Sequence, residues 1–153
     1  MGSASQKSGR KNAASVVRLP CACATLRRTA RLVTQLYDEA MRPAGLTGPQ
    51  FTLLQALKLA SGIAQNQLAT ILGMDSTTLT RSLALLRKHG WVRSEPGRDR
   101  RALRLSLTRA GEKEYERVLP HWQSAQNRLK QILGDKRWTR MMDVMVQTAG
   151  LIR

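Results

Sequence analysis

One segment, MDSTTLTRSLALLRKHG, constrains the fold most, because it carries both the start and the end of a helix. Asp75 comes just before the first apolar position and can accept hydrogen bonds from backbone N–H groups as an N-cap. Leu79, Leu83 and Leu86 follow at helical spacing, and Gly90 supplies the left-handed residue that ends many helices. The segment therefore predicts an amphipathic helix whose leucine face packs against a core.

The other face of this helix is small, hydroxylated and basic. A projection of roughly 100° per residue places these residues opposite or beside the leucines: Thr77, Thr78, Thr80, Arg81, Ala84 and Lys88. Small residues allow close approach to the major groove of DNA, and hydroxyl and guanidinium groups can bond to base edges or phosphates. The same composition fits an ordinary amphipathic helix whose polar side faces water, so the helix alone does not decide between the two interpretations.

The segments on either side complete a known motif. Before this helix, QNQLATILG predicts a short helix ended by Gly73, and the two helices together form a helix-turn-helix. After it, WVRS and ALRLSL predict a two-stranded β-hairpin with Leu103, Leu105 and Leu107 on one side. A hairpin that follows a helix-turn-helix makes the motif winged.

The turn of this hairpin is rich in arginine, because Arg98, Arg100 and Arg101 surround Asp99. An exposed arginine turn beside the helix suits a narrow minor groove, where the negative potential is enhanced. The turn therefore favours DNA binding over the solvent-facing interpretation. We expect Asp99 to pair with a neighbouring arginine and to fix the turn rather than to contact DNA.

The remaining segments are predicted to be helical. Apolar spacing indicates one helix from Cys23 to Pro43, another after Thr47, a long helix capped by Thr108 and a last helix after Gly134. The predicted fold class is mainly α with a small β-hairpin: a winged helix-turn-helix domain plus a helical dimerisation region. The expected units are a flexible basic arm, an N-terminal dimerisation helix, a winged DNA-binding lobe and C-terminal dimerisation helices, over residues 1–20, 21–46, 47–108 and 109–153.

A homodimer is expected because the chain has more helical apolar surface than one small winged-helix core can cover. The apolar stripes lie on the first helix and on the two C-terminal helices. The alternative is that these stripes pack against each other within one chain.

The charge points to a polyanionic partner. The chain has 26 Lys and Arg against 10 Asp and Glu, for a net charge of +16. Residues 1–37 and 76–109 each carry +7, whereas residues 38–75 carry −1, as expected if particular surfaces face phosphate. A sequence-indifferent architectural protein that binds nucleic acid by charge alone is the main alternative to a regulator, and an adaptor that binds protein through its helical end is the third.

Several classes find no support in the residues. No segment is long and apolar enough for a membrane span or a signal peptide, so we expect no membrane partner. Cys21 and Cys23 form no disulfide framework and no zinc spacing, which favours the cytoplasm. His89 and His121 lie on separate helices without carboxylate clusters, so we predict no metal, no cofactor and no catalysis.

The residues MDSTTLTRSLALLRKHGWV and GRDRRALRLSLTRAGE resemble the MarR family of winged-helix transcription regulators, and the likeness covers residues 23–153. The resemblance implies a homodimer, most often a repressor, that binds a pseudo-palindromic operator. It matches Arg101 to the minor-groove arginine of the wing and Asp99 to the acid that orients it. The residues that match the recognition helix are Ser76, Thr77, Thr78, Thr80 and Arg81. The long basic arm is not a constant family feature, so its role is open.

The resemblance also implies an effector. Family members often bind small aromatic acids between the dimer helices and the DNA-binding lobe, where Phe51, His121 and Trp122 are candidate lining residues, although a tryptophan at helical spacing is more often core.

Some relatives instead sense oxidants through a cysteine near the first helix, which makes Cys21 and Cys23 candidate redox residues. We favour two small, partly buried apolar side chains. The two are too close in sequence for a relaxed internal disulfide, so a sensor would form its bridge between subunits or to a small thiol.

Overall fold

In the computed structural model of the chain, residues 20–97 and 103–152 are described. Six α-helices and three short β-strands occupy these ranges. In chain order they are α1 (Ala22–Met41), α2 (Gly48–Leu59), β1 (Ile63–Ala64), α3 (Gln65–Leu72), α4 (Ser76–Lys88), β2 (Val92–Pro96), β3 (Leu103–Leu107), α5 (Arg109–Leu133) and α6 (Asp135–Leu151), with a 3₁₀ turn at Arg42–Ala44 after α1.

The helix caps form as the sequence predicts. The Asp75 carboxylate accepts a hydrogen bond from the backbone N–H of Thr78 at 2.8 Å, which satisfies a free donor of the first turn of α4. At the start of α5, the Thr108 hydroxyl accepts from the backbone N–H of Gly111 at 3.1 Å. These two caps fix where the helices on either side of the hairpin begin.

The β-structure differs from the prediction of a two-stranded hairpin. It is a three-stranded antiparallel sheet in which β3 lies between β1 and β2, with Leu105 opposite both Ile63 and Ser94. The prediction missed β1, because two residues are too short to show the alternation that marks a strand. Of the three leucines on β3, Leu105 is fully buried and Leu103 remains 44% exposed, so only the centre of the strand enters the core.

The core of the predicted winged lobe lies beneath α4. Leu79, Leu83 and Leu86 are fully buried, as the sequence predicts. They belong to one cluster with buried side chains from α2, β3 and α5, among them Phe51, Leu54, Leu57, Leu105 and Val118. Because the leucine face of α4 is used by this core, its opposite face is left at the surface.

The helices outside this lobe are poorly covered within the single chain. Among the described residues, α1 buries only Met41 and α6 buries none. Large apolar side chains stay exposed along α1, the end of α5 and α6: Leu26, Leu32, Ile132, Val146 and Leu151. Within one chain, these helices therefore leave part of their apolar surface open.

Two polar contacts fasten the outer helices to the segment from the 3₁₀ turn to the start of α2. Asp38 of α1 accepts a hydrogen bond from the backbone N–H of Gly48 at 2.6 Å. Arg117 of α5 donates to the carbonyl of Ala44 at 2.7 Å and to Glu114, whose hydrogen bond raises the pKa of the guanidinium. We call these two contacts the α2 clamps.

Candidate nucleic-acid interface

The helix-turn-helix consists of α3, a three-residue turn and α4. Gly73 adopts a left-handed conformation with φ of 61°, which ends α3 without the steric cost that a side chain would bring there. Met74 follows, with its backbone N–H bonded to the carbonyl of Ala69 at 2.9 Å, and Asp75 then caps α4. The turn thus sets α4 on the surface of the lobe.

The outer face of α4 brings together the recognition-helix residues named from the sequence. All five are exposed: Ser76, Thr77, Thr78, Thr80 and Arg81. The buried leucines occupy the opposite side of the same helix. The structure therefore provides a surface of four hydroxyls and one guanidinium that fits major-groove insertion.

The hydroxyl of Thr78 is tied to the cap of the helix. Its Oγ1 donates to Oδ2 of Asp75 at 2.6 Å, beside the backbone bond to the other carboxylate oxygen. These hydrogen bonds lower the pKa of Asp75, with the Thr78 hydroxyl as the largest cause. The carboxylate therefore remains ionised at neutral pH, next to the positive end of the helix dipole.

A polar chain that the sequence analysis missed links the sheet to α4. Arg87, half-buried on α4, donates from Nε to the hydroxyl of Ser94 on β2 at 2.9 Å and from Nη2 to Oε1 of Gln65 at 3.5 Å. Gln65, at the start of α3, donates from Nε2 to Oγ1 of Thr80 at 3.1 Å. Sequence spacing carries no signal for these contacts, because they join residues on three separate elements, α3, α4 and β2.

The basic residues of the wing strands are already paired. Arg93 lies 3.4 Å from Glu95 in an exposed ion pair, and Arg104 donates to the carbonyl of Gly62 at 2.7 Å. The wing turn with Arg98, Asp99, Arg100 and Arg101 lies outside the described residues, so the roles expected for these four remain predictions.

The residues predicted to line an effector pocket separate into different environments. The Phe51 ring is fully buried and stacks on the ring of Tyr115, with the ring centroids 5.3 Å apart. The centroid of the Trp122 ring lies 5.9 Å from that of Phe51. His121 is half-buried on α5. In this structure Phe51 and Trp122 join α2 to α5, and the effector hypothesis for the three residues stays untested.

A surface cleft of about 440 Å³ lies between the start of α2, the end of α3 and α4. Its walls combine apolar and polar side chains, with Pro49, Leu53, Met74, Arg81 and Leu85 among them. Since Arg81 belongs to both the cleft and the outer face of α4, a molecule in the cleft would contact a residue predicted to bind DNA.

Both cysteine thiols are free and exposed. Cys21 is the N-cap residue of α1 and Cys23 lies in its first turn. The expectation of two partly buried side chains is therefore wrong for this structure, because no described element covers the first turn of α1.

The described residues contain neither a membrane-spanning helix nor a metal-binding cluster. No helix there is long and apolar enough to cross a membrane. Across the same ranges, no group of three or more His, Cys, Asp or Glu side chains is placed to hold a metal ion.

A helix-turn-helix with an exposed second helix, followed by an antiparallel wing, defines the winged-helix class of DNA-binding proteins. The sequence model of the MarR family matches residues 44–102. The chain is 30% identical over 93 residues to the uncharacterized HTH-type transcriptional regulator YwoH of Bacillus subtilis (strain 168), a similarity that covers 61% of this chain and 68% of that one. This protein belongs to the MarR family of transcription regulators.

Solved structures share the fold. The transcriptional regulator MosR of M. tuberculosis, crystallised in complex with DNA, is 38% identical, with a TM-score of 0.75 over 87% of this chain and 98% of that chain. A mutant of E. coli MarR complexed with operator DNA is 23% identical, with a TM-score of 0.74 over 82% of this chain and 91% of that chain. At that lower identity the E. coli likeness concerns the winged-helix fold.

Proposed function

We propose that the protein is a cytoplasmic, homodimeric transcription regulator that binds a pseudo-palindromic operator and represses the genes next to it. The observation that carries this proposal is the outer face of α4, where four hydroxyls and Arg81 stand exposed opposite a fully buried leucine face. The crystallised DNA complex of the similar MosR supports it.

Each subunit would bind DNA at two places. The recognition helix enters the major groove with Ser76, Thr77, Thr78, Thr80 and Arg81. The wing turn places Arg101 in the adjacent minor groove, with Arg98 and Arg100 beside it and Asp99 as the orienting acid. Phosphate contacts by these arginines would fix the register, and the hydroxylated helix would contribute sequence preference.

Dimerisation would come from the apolar faces left open on α1, α5 and α6. Leu26 on α1, Ile132 at the end of α5 and Val146 on α6 are exposed within one chain, and a second copy of the chain would cover them. Two-fold symmetry then places the recognition helices about 34 Å apart, one turn of DNA.

Operator affinity would be modulated by a small aromatic ligand or by an oxidant. The cleft that includes Arg81 and the trio Phe51, His121 and Trp122 are the two candidate ligand regions. The exposed Cys21 and Cys23 are accessible to oxidation, as a redox mechanism needs.

A binding comparison tests the regulator against an architectural protein. Duplexes selected from a random library, and the promoter region upstream of the protein's own gene, are titrated against scrambled duplexes at fixed salt. We expect a preference of ~10³ or more for the specific site. Equal affinity for all duplexes would identify an architectural protein, and absence of any DNA retention would favour a protein-binding adaptor.

The Arg101→Ala variant tests the wing within the same assay. We expect operator affinity to fall by about 10-fold or more, the cost of one specific arginine contact, while the melting temperature stays unchanged. Asp99→Ala should also weaken binding, through a less ordered arginine. Full affinity of the Arg101 variant would remove the wing from the proposal.

A further inference from the structure

The hydroxyl groups on α4 have fixed directions in this structure. Thr78 donates its proton to Oδ2 of Asp75 at 2.6 Å, and Thr80 donates to the carbonyl of Ser76 at 2.7 Å. A hydroxyl carries one proton and two acceptor lone pairs. Each of these groups therefore uses its only proton inside the protein and offers lone pairs to a partner outside.

For Thr78 the direction follows from the partner. An ionised carboxylate has no proton to give, so the bond to Asp75 requires the threonine to be the donor. The backbone bond from Thr78 to the other carboxylate oxygen, at 2.8 Å, holds the acid in place. Reversing this hydroxyl would leave the carboxylate without its shortest hydrogen bond.

For Thr80 the direction is set by a chain that begins at the sheet. The guanidinium of Arg87 has donors only, and its Nε is held by Ser94 at 2.9 Å, so the oxygen of the Gln65 amide faces Nη2 at 3.5 Å. The amide nitrogen of Gln65 must then face Thr80, where it donates to Oγ1 at 3.1 Å.

These hydrogen bonds leave the Thr80 hydroxyl able only to accept from a partner outside the protein. It donates to the carbonyl of Ser76, one lone pair accepts from Gln65, and the second lone pair is on an exposed side chain. A threonine bonded only to a helix carbonyl could rotate to donate. Here the rotation would also disturb the amide that Arg87 orients.

We propose that Thr78 and Thr80 act as acceptor-only readers, which select the exocyclic amino groups of adenine (N6) or cytosine (N4) in the major groove. These are the hydrogen-bond donors that the major-groove edges present, whereas guanine N7 and O6 and thymine O4 are acceptors. The inference rests on the proposed function, since it assigns the base chemistry that the recognition helix reads. Gln65 and Arg87 are positioning residues in this scheme, because they act through Thr80.

The test is a coupling experiment on the duplex selected above. At each position of one half-site, adenine is replaced by purine or cytosine by 2-pyrimidinone, which removes the amino group. A parallel set carries 7-deazapurines, which remove the N7 acceptor. Affinities of the wild-type dimer and of Thr80→Val and Thr78→Val, which keep the branched shape, are measured for every duplex, and melting temperatures verify the folds.

We expect one position for each threonine at which loss of the amino group weakens wild-type binding by about 3- to 10-fold, the range of a single neutral hydrogen bond. The matching valine variant should show the same loss on the natural duplex and no further loss on the amine-free duplex. Thr77→Val is the matched control, because the Thr77 side chain makes no hydrogen bond within the described residues. It should not be coupled to those two amino groups.

Three outcomes would overturn the inference. Coupling of Thr78 or Thr80 to N7 removal would show that the hydroxyl donates. Absence of coupling to any base analogue would show that these side chains do not read bases, while preference for the selected duplex would leave the proposed function standing. If no duplex is preferred over scrambled DNA, the proposed function fails first and the inference falls with it.

Discussion

Gly111 shows how one residue controls the junction between the wing and α5. A Cβ built on this glycine would lie 2.1 Å from the carbonyl oxygen of Trp91. That carbonyl also accepts a hydrogen bond from the backbone N–H of Thr108 at 2.9 Å. The absence of a side chain at this one position therefore lets the first turn of α5 lie directly against the residue that precedes β2.

Substituting this glycine should disrupt the junction. We expect Gly111→Ala to lower the free energy of unfolding by about 3 kcal/mol, the upper part of the usual range for overpacking, because the obstructing atom belongs to the backbone. Gly150→Ala is the matched control, since a Cβ added to that helical glycine meets no other part of the described chain within 4 Å. The control should be neutral or gain up to about 1 kcal/mol. Equal denaturant midpoints for the two variants would contradict this account.

At the scale of elements, the sequence predicts those whose signals are local. The cap at Asp75, the leucine spacing and Gly90 all lie within or beside α4, so its position and its buried face were predictable. Ile63 is in a strand only because it pairs with Leu105, which lies far along the chain. The Arg87 chain likewise depends on three elements meeting, and such contacts leave no periodicity in the sequence.

The joint between α2 and α5 depends on Phe51, which is fully buried between aromatic rings of α5. We expect Phe51→Ala to cost about 3–5 kcal/mol of unfolding free energy, because it removes apolar contacts and leaves a cavity. Leu59→Ala on the same helix should change it by less than about 0.5 kcal/mol, since Leu59 is 83% exposed. Chemical denaturation of both variants measures the difference. A Phe51 variant as stable as the Leu59 variant would mean that the ring is not part of the core.

The whole molecule has a well-packed DNA-binding lobe and a poorly covered helical end. Phe51 and Leu83 are fully buried in the lobe, whereas Val146 and Leu151 are 68% and 86% exposed on α6. The lobe can therefore be understood from one chain, but the helical end cannot. The sequence alone could not predict how the helical end is buried. Apolar spacing indicates which face of a helix is apolar, but it does not indicate whether the same chain or another molecule packs against that face.

Charge on this open end should separate the proposed subunits. We expect the double variant Val146→Glu, Leu151→Glu to be a monomer, because burying two carboxylates at an apolar interface is costly. Operator affinity should fall by ~10² or more once the two half-sites are no longer bound together. Ile71→Glu is the control, since Ile71 is exposed on α3. This variant should keep the molecular mass of the wild-type protein. Sedimentation equilibrium gives the result, and a double variant that stays dimeric would place the interface elsewhere.

The α2 clamps have a mechanical consequence. Asp38 fastens α1 to the first residue of α2, and Arg117 fastens α5 to the 3₁₀ turn before α2, through hydrogen bonds of 2.6 and 2.7 Å. A tilt of the outer helices would then rotate the DNA-binding lobe with them, because the connection between them is not flexible. In a symmetric pair of subunits, a small displacement near the exposed thiols of α1 would thus change the distance between the two recognition helices. The spacing in base pairs between the DNA half-sites that the pair can bind would change with it.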